Sequence, residues 1–385
     1  MEEQAYILKL FDTELIEFVL TKEKLTDTAC RIISFNDEKK ELLPIGVELT
    51  GESLLSWLRS RTIPKNRGYV DKILSVYGLH HGDMIGTLNL CYGLSLNDSY
   101  WIVPVSFGGS FDEYDLYDNE FYKPLSLIAY TGYGTVRASG FSSSPEFTTN
   151  GMLRKGWRRL QGKIYLYKGG TEGAANTGRE PFSEYYASQI ADAMGLYHVP
   201  YTLASWKKQV CSRCELFTDK YTSYVPICRF GDFHDLIEIS SFIKSLGGDI
   251  HDSFADMLIF DCLIYNEDRH QGNFGLLLDS RTNKVLSFAP VFDNGMGLFP
   301  FAMDDDISDL DRYARTRVSA FNVSFDDIAA EFISDRQRAK LRKVLTFSFK
   351  RHERYTIPNS DNAQRLKYLE AFVRKRAATL LDMTH

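Results

Sequence analysis

The sequence predicts an α+β protein of two lobes, in which the first lobe is rich in β-strands and the second is helical. Three observations support this class: β-like, turn-rich runs dominate residues 101–230, helical patterns dominate residues 231–385, and a short hairpin pattern interrupts the helices. Strands followed by helices, rather than strands alternating with helices, argue against a doubly wound sheet. We therefore expect a β-rich lobe at 101–230 and an α-helical lobe at 231–385, preceded by an N-terminal region at 1–100 of unknown role.

The composition is that of an ordinary globular protein and excludes several classes. Of the 385 residues, 44% are hydrophobic and 14% are aromatic, which is enough for a large core and excludes a disordered chain. The formal net charge of −6 argues against a general binder of nucleic acid or of anionic membranes. No apolar run approaches the ~18 residues of a transmembrane helix, and the acidic start lacks a signal-peptide pattern. We expect a cytoplasmic protein with no membrane partner and no direct contact with nucleic acid.

The first elements that matter for chemistry are a strand, a loop and a helix. In KIYLYK (163–168) apolar residues alternate with others, which predicts a strand that ends at Lys168. A glycine-rich loop at 169–178 follows, and apolar residues at helical spacing then predict a helix that carries Glu184 and stops at Gly195. The later pattern predicts, in order, strands at 199–206 and 223–230, a connector at 231–250, a helix at 251–265, a polar loop at 266–273, and strands at 274–278 and 285–292.

The polar loop at 266–273 carries the residues that indicate a reaction. Asp268 is followed five residues later by Asn273, and an Asp-Asn-Gly triplet begins at Asp293, beyond the predicted hairpin. Phosphoryl transfer needs one carboxylate to orient the attacking hydroxyl, and an Asn with a second Asp to hold Mg²⁺ against the phosphates. Both spacings match the protein-kinase catalytic loop and its Asp-Phe-Gly triplet, with Asn294 in place of Phe.

Two upstream residues complete the order that a kinase requires. Lys168 ends a predicted strand, from which it would reach the phosphates of ATP, and Glu184, 16 residues later on a helix, would hold that lysine. Alone, each has a simpler interpretation: Lys168 as a snorkelling lysine and Glu184 as a solvated helix residue. The five residue types in kinase order, on elements of the right type, favour a bilobal protein-kinase-like fold.

These motifs resemble those of a known family. The pattern Asn-x-Asp-Arg-His-x-x-Asn-x-Gly at 266–275 is similar to the catalytic loop of the HipA-like kinases, the toxin kinases of bacterial HipBA modules. KIYLYKGG and EPFSEYYASQIADAMGL resemble the strand and the helix of that family, with Ser183 where Asn is usual. The resemblance covers about 145–300, extends weakly into the C-terminal helices, and does not include 1–100.

The resemblance implies a serine/threonine protein kinase that uses ATP and Mg²⁺, and it assigns roles to the residues. Asp268 would be the catalytic base, Asn273 and Asp293 would bind Mg²⁺, Lys168 would contact the phosphates, and Glu184 would pair with that lysine. The acceptor would be a hydroxyl of a protein substrate. A growth-arresting toxin would also have an antitoxin partner of the helix-turn-helix repressor type.

The family also implies a phosphate-binding loop before the lysine strand, which can be autophosphorylated and ejected. The candidates for it are Thr148, Thr149, Asn150 and Gly151, because backbone N–H groups and small side chains suit phosphate oxygens. A solvated loop is the alternative. His270, beside the base, is counted with the nucleotide-site residues, although a structural role in bonding backbone groups suits such a histidine better.

Two other functions fit parts of the pattern. Asp-Arg-His-x-x-Asn also resembles the catalytic loop of phosphoinositide kinases, so a lipid or small-molecule kinase is one alternative, against which the acidic net charge weighs. A pseudokinase that serves as a binding module is the other, against which the intact kinase residues weigh. The aspartates crowded at 304–311 are interpreted as a solvated loop and helix start, with a docking surface for a basic substrate or an extra metal site as the alternatives.

Overall fold

The computed structural model describes residues 2–22, 28–134, 136–172, 177–358 and 360–383, and it confirms the predicted α+β class. The predicted glycine-rich loop at 169–178 lies partly outside these ranges. The chain divides into two compact units of three segments each. The first unit comprises Met1–Lys168, Glu215–Val225 and Leu277–Leu286, and the second comprises Gly169–Cys214, Pro226–Leu276 and Ser287–His385.

The first unit begins with an antiparallel sheet formed by the N-terminal region. Strand β1 (Glu2–Leu10) pairs on one side with β2 (Thr13–Lys22) and on the other with β4 (Tyr100–Pro104). Strand β3 (Thr28–Phe35) pairs with β2, so the strand order is β3-β2-β1-β4. The region that carries no recognised motif is thus an ordered part of the first unit.

Helices cover one face of this sheet. Because successive side chains of a strand point to opposite faces, Tyr6 and Leu8 fall on one side of β1. There they are buried in one core with Phe18 of β2 and with Leu54 and Trp57 of the first helix. The helices of the first unit are α1 (Gly51–Arg59), α2 (Val70–Ser75), α3 (Met84–Cys91), α4 (Phe111–Tyr114) and α5 (Lys123–Thr131), with short 3-10 helices at Asp37–Leu42 and Pro145–Phe147.

A hairpin in the first unit carries Lys168. Strand β5 (Lys155–Leu160) pairs antiparallel with β6 (Lys163–Lys168), which confirms the predicted strand and its end. The turn residues Gln161 and Gly162 both have positive φ, 51° and 78°, as the tightest hairpin turns require. The pairing sets Lys168 directly opposite the first residue of β5.

The second unit contains most of the helices. They are α6 (Glu180–Met194), α7 (Leu236–Leu246), α8 (Gly248–Ile264), α9 (Asp304–Ile307), α10 (Leu310–Ala314), α11 (Phe325–Phe332), α12 (Asp335–Arg342) and α13 (Asn362–Asp382). Helix α6 ends at Gly195 with φ of 71°, as predicted. Helix α8 is buried from Phe254 to its end and contacts α7, α11 and α13. Within the described ranges, no helix is both long and apolar enough to cross a bilayer.

The remaining strands form a hairpin and a small sheet. Strand β7 (Tyr201–Trp206) pairs antiparallel with β8 (Gln209–Glu215), mainly in the second unit. Strands β9 (Thr222–Pro226), β10 (Gly275–Asp279) and β11 (Val285–Phe288) form a sheet in the order β11-β10-β9, most of which belongs to the first unit. Strand β11 is shorter than the predicted 285–292.

Two predictions for the segment before α8 are wrong. The predicted strand at 223–230 ends at Pro226, which cannot donate to a sheet, and a 3-10 helix follows. The predicted connector at 231–250 contains α7, whose first turn is capped by Asp235, since this carboxylate accepts hydrogen bonds from two backbone amides. Helix α8 accordingly starts at Gly248, earlier than the apolar pattern indicated.

Candidate active site

The loop between α8 and β10 closes on itself through hydrogen bonds. Helix α8 ends at Tyr265, whose left-handed φ of 54° turns the chain into the loop. The amide of Asp268 donates to the side-chain oxygen of Asn266 at 3.4 Å, and Nδ2 of Asn273 donates to the carbonyl oxygen of Asp268 at 2.9 Å. Because Nδ2 is used in this contact, Oδ1 is the atom that Asn273 can offer to a cation. The two residues predicted from their spacing therefore belong to one closed turn.

Arg269 is buried and connects this loop to the segment that follows β11. Its guanidinium donates to both carboxylate oxygens of Asp261 on α8, with Nε–Oδ2 at 2.8 Å and Nη2–Oδ1 at 3.0 Å. It also donates to the carbonyl oxygens of Asn273 and Phe292 and, at 2.6 Å, to Oδ1 of Asn294. Charge-assisted bonds of this two-point kind are strong and directional. One side chain thus fixes the helix end, the loop and the Asp-Asn-Gly triplet to each other.

Asp293 has an unusual backbone conformation that a buried tyrosine supports. Its φ is 54°, in the left-handed region that non-glycine residues seldom adopt. Its amide donates to the hydroxyl oxygen of Tyr201 on β7 at 3.1 Å. Burial, then the neighbouring Cys214, Glu184 and Asp293, raise the pKa of Tyr201 well above its ordinary value. Tyr201 thus stays a neutral hydroxyl that lies close to both carboxylates.

Glu184 lies on the buried side of α6, next to the same triplet. It is 1% exposed, which contradicts its interpretation as a solvated helix residue. Its carboxylate accepts a hydrogen bond from the hydroxyl of Ser212 on β8. A Cβ added at Gly295 would lie 3.7 Å from Cγ of Glu184 and 3.5 Å from Cβ of Glu180. The triplet therefore packs directly against the helix that the kinase pattern requires.

The first unit contains Lys168 and the candidate phosphate loop. Lys168 is 4% exposed at the end of β6. The hydroxyl of Thr148 donates to the carbonyl oxygen of Leu94 at 2.9 Å, and that of Thr149 donates to the carbonyl oxygen of Pro145 at 2.6 Å. The amide of Thr148 also donates to the carbonyl oxygen of Pro145, at 3.2 Å, so both threonines serve to hold the loop in shape.

The end of the candidate loop is held by β5. Nζ of Lys155 donates to the carbonyl oxygen of Asn150 at 2.7 Å. Gly151 has φ of 95°, and a Cβ there would lie 2.3 Å from the same Nζ. A larger residue at 151 would therefore displace the lysine. The loop and Lys168 flank β5, since Lys155 is opposite Lys168 in the hairpin.

A buried ion pair at the start of this loop was not expected from the sequence. Glu146 accepts hydrogen bonds from Nη2 of Arg67 at 2.5 Å and from the amide of Trp157 at 2.8 Å. Burial raises the pKa of Glu146 to about 7, and the charge of Arg67 opposes the rise. The two residues are 79 positions apart, so no local pattern could have joined them. The N-terminal region thereby contacts the candidate phosphate loop directly.

The hydrogen bonds of His270 within the loop give it a structural role. Its side chain is exposed, and Nδ1 accepts a hydrogen bond from the amide of Gly272 at 3.0 Å. Its carbonyl oxygen accepts the amide of Asn273 at 2.8 Å. These contacts shape the loop, while a direct contact of His270 with nucleotide stays a prediction.

Two buried arginines hold the chain that follows the triplet. Arg179 and Arg365 both donate to the carbonyl oxygen of Ala302, at 2.6 and 2.8 Å, and Arg365 also donates to that of Phe299 at 2.7 Å. Leu298 and Phe299 are left-handed, with φ of 57° and 55°. Burial lowers the pKa of Arg365 to about 10, and the charge of Arg179 adds to the drop. Hydrogen bonds to its backbone oxygens therefore fix the segment that follows the triplet.

The aspartates after residue 303 mainly cap helices and pair with cations. Asp306 accepts a hydrogen bond from the amide of Met303, and Asp309 accepts one from the amide of Arg312, both at 3.1 Å. Asp311 pairs with Lys375 at 2.5 Å. These contacts agree with the interpretation of the aspartates at 304–311 as part of a helix start.

The sequence indicated no structural role for Arg269, Asp261 or Tyr201, and Asp261 was expected only, with Glu267, as the next candidate for the base after Asp268. A signal was present for one of them: Asp261 interrupts the apolar run MLIFDCLIY, and a carboxylate buried in such a helix requires a partner. Tyr201 had no comparable signal, since it contacts Asp293 across 92 positions.

Comparisons with known proteins give one curated relative. No model of a known protein family matches the chain. The chain is 31% identical over 137 residues to the serine/threonine-protein kinase CtkA of Helicobacter pylori strain J99, a match that covers 32% of this chain and 42% of that protein. The chain thus spans about two fifths of the length of this relative.

Two solved structures are also similar. The crystal structure of CtkA has a TM-score of 0.46 and 20% identity, and the alignment covers 60% of this chain and 92% of that one. HipA of Shewanella oneidensis MR-1, solved with HipB and operator DNA, has a TM-score of 0.54 and 11% identity, with coverage of 99% and 100%. The second similarity includes the N-terminal region that showed no resemblance in sequence, and it shows that the two chains share a fold.

Proposed function

Because the chain resembles the HipA-like kinases in its motifs and has the fold of HipA, we propose that it is a serine/threonine protein kinase that transfers the γ-phosphate of ATP to a protein hydroxyl. The observation that carries the proposal is the Arg269 network. Phosphoryl transfer depends on positioning more than on covalent chemistry by the protein. Arg269 joins the Asp268–Asn273 turn to the Asp293 triplet, the two parts that must act on one nucleotide. In this proposal residues 101–230 form the N-lobe and 231–385 the C-lobe.

Asp268 is the residue that we assign as the base. Its side chain is exposed, so the hydroxyl of a protein substrate can approach it. Two neighbouring carboxylates are less suitable, because Asp261 is buried in an ion pair with Arg269 and Glu267 contacts Arg317. The closed turn restricts the backbone of Asp268, which favours one orientation toward the acceptor.

Asn273 and Asp293 are assigned as the Mg²⁺ ligands. Their amide and carboxylate oxygens are the hard donors that this ion prefers, and Mg²⁺ usually takes only one or two protein ligands beside the phosphates. The contact of Asn273 Nδ2 with the loop leaves its oxygen for this purpose. When bound, the ion neutralises charge on the transferring phosphates. Arg269 maintains the relative position of both ligands.

Lys168 and the loop at 148–151 are assigned to the phosphates of ATP, with Glu184 as the partner of the lysine. The burial of Lys168 and Glu184 agrees with groups that meet a ligand in a water-poor site. A repressor-type antitoxin partner is part of the same proposal, since the HipA structure contains HipB. A cytoplasmic location is proposed with it.

The experiment that tests the proposal measures transfer directly. Purified protein is incubated with γ-labelled ATP and Mg²⁺, with a cell lysate in one arm and lipid vesicles in another, and labelled products are identified by mass spectrometry. Label on serine or threonine of proteins is expected. Label on lipid would favour the lipid-kinase alternative, and absence of label with retained ATP binding would favour the pseudokinase.

A matched pair of variants separates catalysis from folding. Lys168→Met should abolish transfer, because the phosphate contact is lost. Lys163→Met removes an exposed lysine from the start of the same strand, where Lys163 pairs with Glu215 at 2.8 Å, and should retain transfer. Equal activity of the two variants would refute the role of Lys168.

A further inference from the structure

A pocket of about 490 Å³ in the second unit adjoins the catalytic loop. Tyr265, which ends α8, lines this pocket, and so does Arg317. Nη1 of Arg317 contacts Oε2 of Glu267 at 3.5 Å, and Glu267 immediately precedes Asp268. The pocket therefore lies near the residue that we assign as the base.

The lining of this pocket is cationic although the protein as a whole is acidic. Four cationic side chains line it, Arg315, Arg317, Lys375 and Arg376, against two carboxylates. Arg315 is exposed and forms no ion pair with any residue in the described part of the chain. An excess of cations beside an active site favours an anionic ligand.

A buried guanidinium supplies an independent indication of a ligand. Arg376 is 6% exposed, with Nη1 at 2.5 Å from Oδ1 of Asp326 and Nε at 3.1 Å from the carbonyl oxygen of Cys262. Its Nη2 is buried and has no hydrogen-bond partner among the described residues. Buried polar groups are nearly always hydrogen-bonded. Arg376 is one of the residues that line the pocket, and an unsatisfied guanidinium donor is suited to a carboxylate or phosphate oxygen.

We propose that this pocket binds an anionic side chain of the protein substrate, a carboxylate or a phosphorylated residue, near the acceptor hydroxyl. The proposal rests on the proposed kinase function and names the substrate class. Arg315, which has no ion-pair partner among the described residues, supplies positive charge, Lys375 and Arg317 are already paired with Asp311 and Glu267, and Arg376 supplies a buried donor. An acidic flanking residue would thus hold the acceptor next to Asp268, and a basic one would be repelled.

The test is a peptide scan. Nine-residue peptides with one central serine carry Ala, Glu, phosphoserine or Lys at each flanking position, and transfer from labelled ATP is measured. At one or two positions, Glu or phosphoserine should raise kcat/KM by about tenfold over Ala, as expected for hydrogen bonds to a charged group. The Glu and phosphoserine arms distinguish a carboxylate from a phosphate. Arg315→Ala should lose most of this preference, whereas Arg312→Ala, an exposed arginine outside the pocket lining, should keep it.

A binding measurement separates this proposal from the kinase proposal. Fluorescent forms of the Glu and Ala peptides are titrated into the protein without ATP. Tighter binding of the Glu peptide by the wild type, lost in Arg315→Ala, supports the pocket even if no peptide is phosphorylated. A preference that is equal in wild type and Arg315→Ala, or a scan with no charge preference while transfer proceeds, overturns it.

Discussion

The guanidinium of Arg269 and the carboxylate of Asp261 form a buried two-point ion pair, with donor–acceptor distances of 2.8 and 3.0 Å. Asp261 is part of an apolar, buried helix, so its position is set by the core. Arg269 connects that position to the loop and, through Asn294, to the triplet that we propose as a metal ligand. Asp268, Asn273 and Asp293, which are more exposed, are thereby positioned by a buried helix of the second unit.

Replacement of Arg269 should therefore cost stability as well as activity. Arg269→Gln leaves the carboxylate of Asp261 buried without its cation, and removal of one partner of a buried pair destabilises by about 3–5 kcal/mol. Urea unfolding measures this loss. The control is Arg281→Gln, which removes an exposed arginine paired with Asp279 and should change the stability little, because solvent screens such a pair. Similar losses in the two variants would contradict the structural role of Arg269.

Asp268→Asn should impair transfer while ATP binding is retained. The substitution preserves size and removes the charge that orients the acceptor hydroxyl. Positioned acid–base groups contribute about 10²- to 10⁴-fold, so the rate of labelled phosphate transfer should fall by that factor. If overexpression arrests growth, the arrest should disappear in the same variant. Persistent arrest by a catalytically inactive Asp268→Asn would instead favour a binding module.

Asp293→Ala should weaken nucleotide binding only when Mg²⁺ is present. In the proposed site the carboxylate would contact the phosphates through the cation, so the Kd of ATP should rise in Mg²⁺ and change little in EDTA. Calorimetric titration under both conditions measures this. Asp305→Ala, which removes an exposed carboxylate on α9, controls for the loss of negative charge. An equal loss of affinity with and without the metal would show that Asp293 acts through folding.

The Arg67–Glu146 pair predicts a pH dependence of stability. The pKa of Glu146 in the folded chain is about 7, above its ordinary value of 4.5. A carboxyl whose pKa is raised by folding contributes stability that is complete below the lower value and is lost as the pH rises through the upper one. The free energy of unfolding of the wild type, relative to Glu146→Gln, should thus fall by about 3 kcal/mol between about pH 4.5 and 8. Urea unfolding across this range tests it, and a constant difference would mean that Glu146 stays ionised throughout.

The sequence predicted the elements of the site better than the contacts between them. Strand β6, helix α6 and the loop at 266–273 follow from local periodicity and spacing, because those patterns reflect residues close in the chain. Asp235 is an N-cap signal for helix α7, but the stronger apolar pattern of α8 led to the prediction of a connector there. The contacts of Tyr201 with Asp293 and of Arg67 with Glu146 join distant residues, and periodicity carries no information about such pairs.

Two arginines hold the segment after the triplet, and the position of Arg365 in the sequence determines when during synthesis that segment can be fully anchored. Arg365 lies on α13, the last helix of this sequence, while Asp268 and Asp293 are synthesised much earlier. A growing chain can therefore contain every residue of the proposed chemistry and still lack the anchor for Phe299 and one of the two anchors for Ala302. The hydrogen bonds that Arg365 donates to this segment thus form only after α13 has been made, and a chain interrupted before Arg365 would lack them.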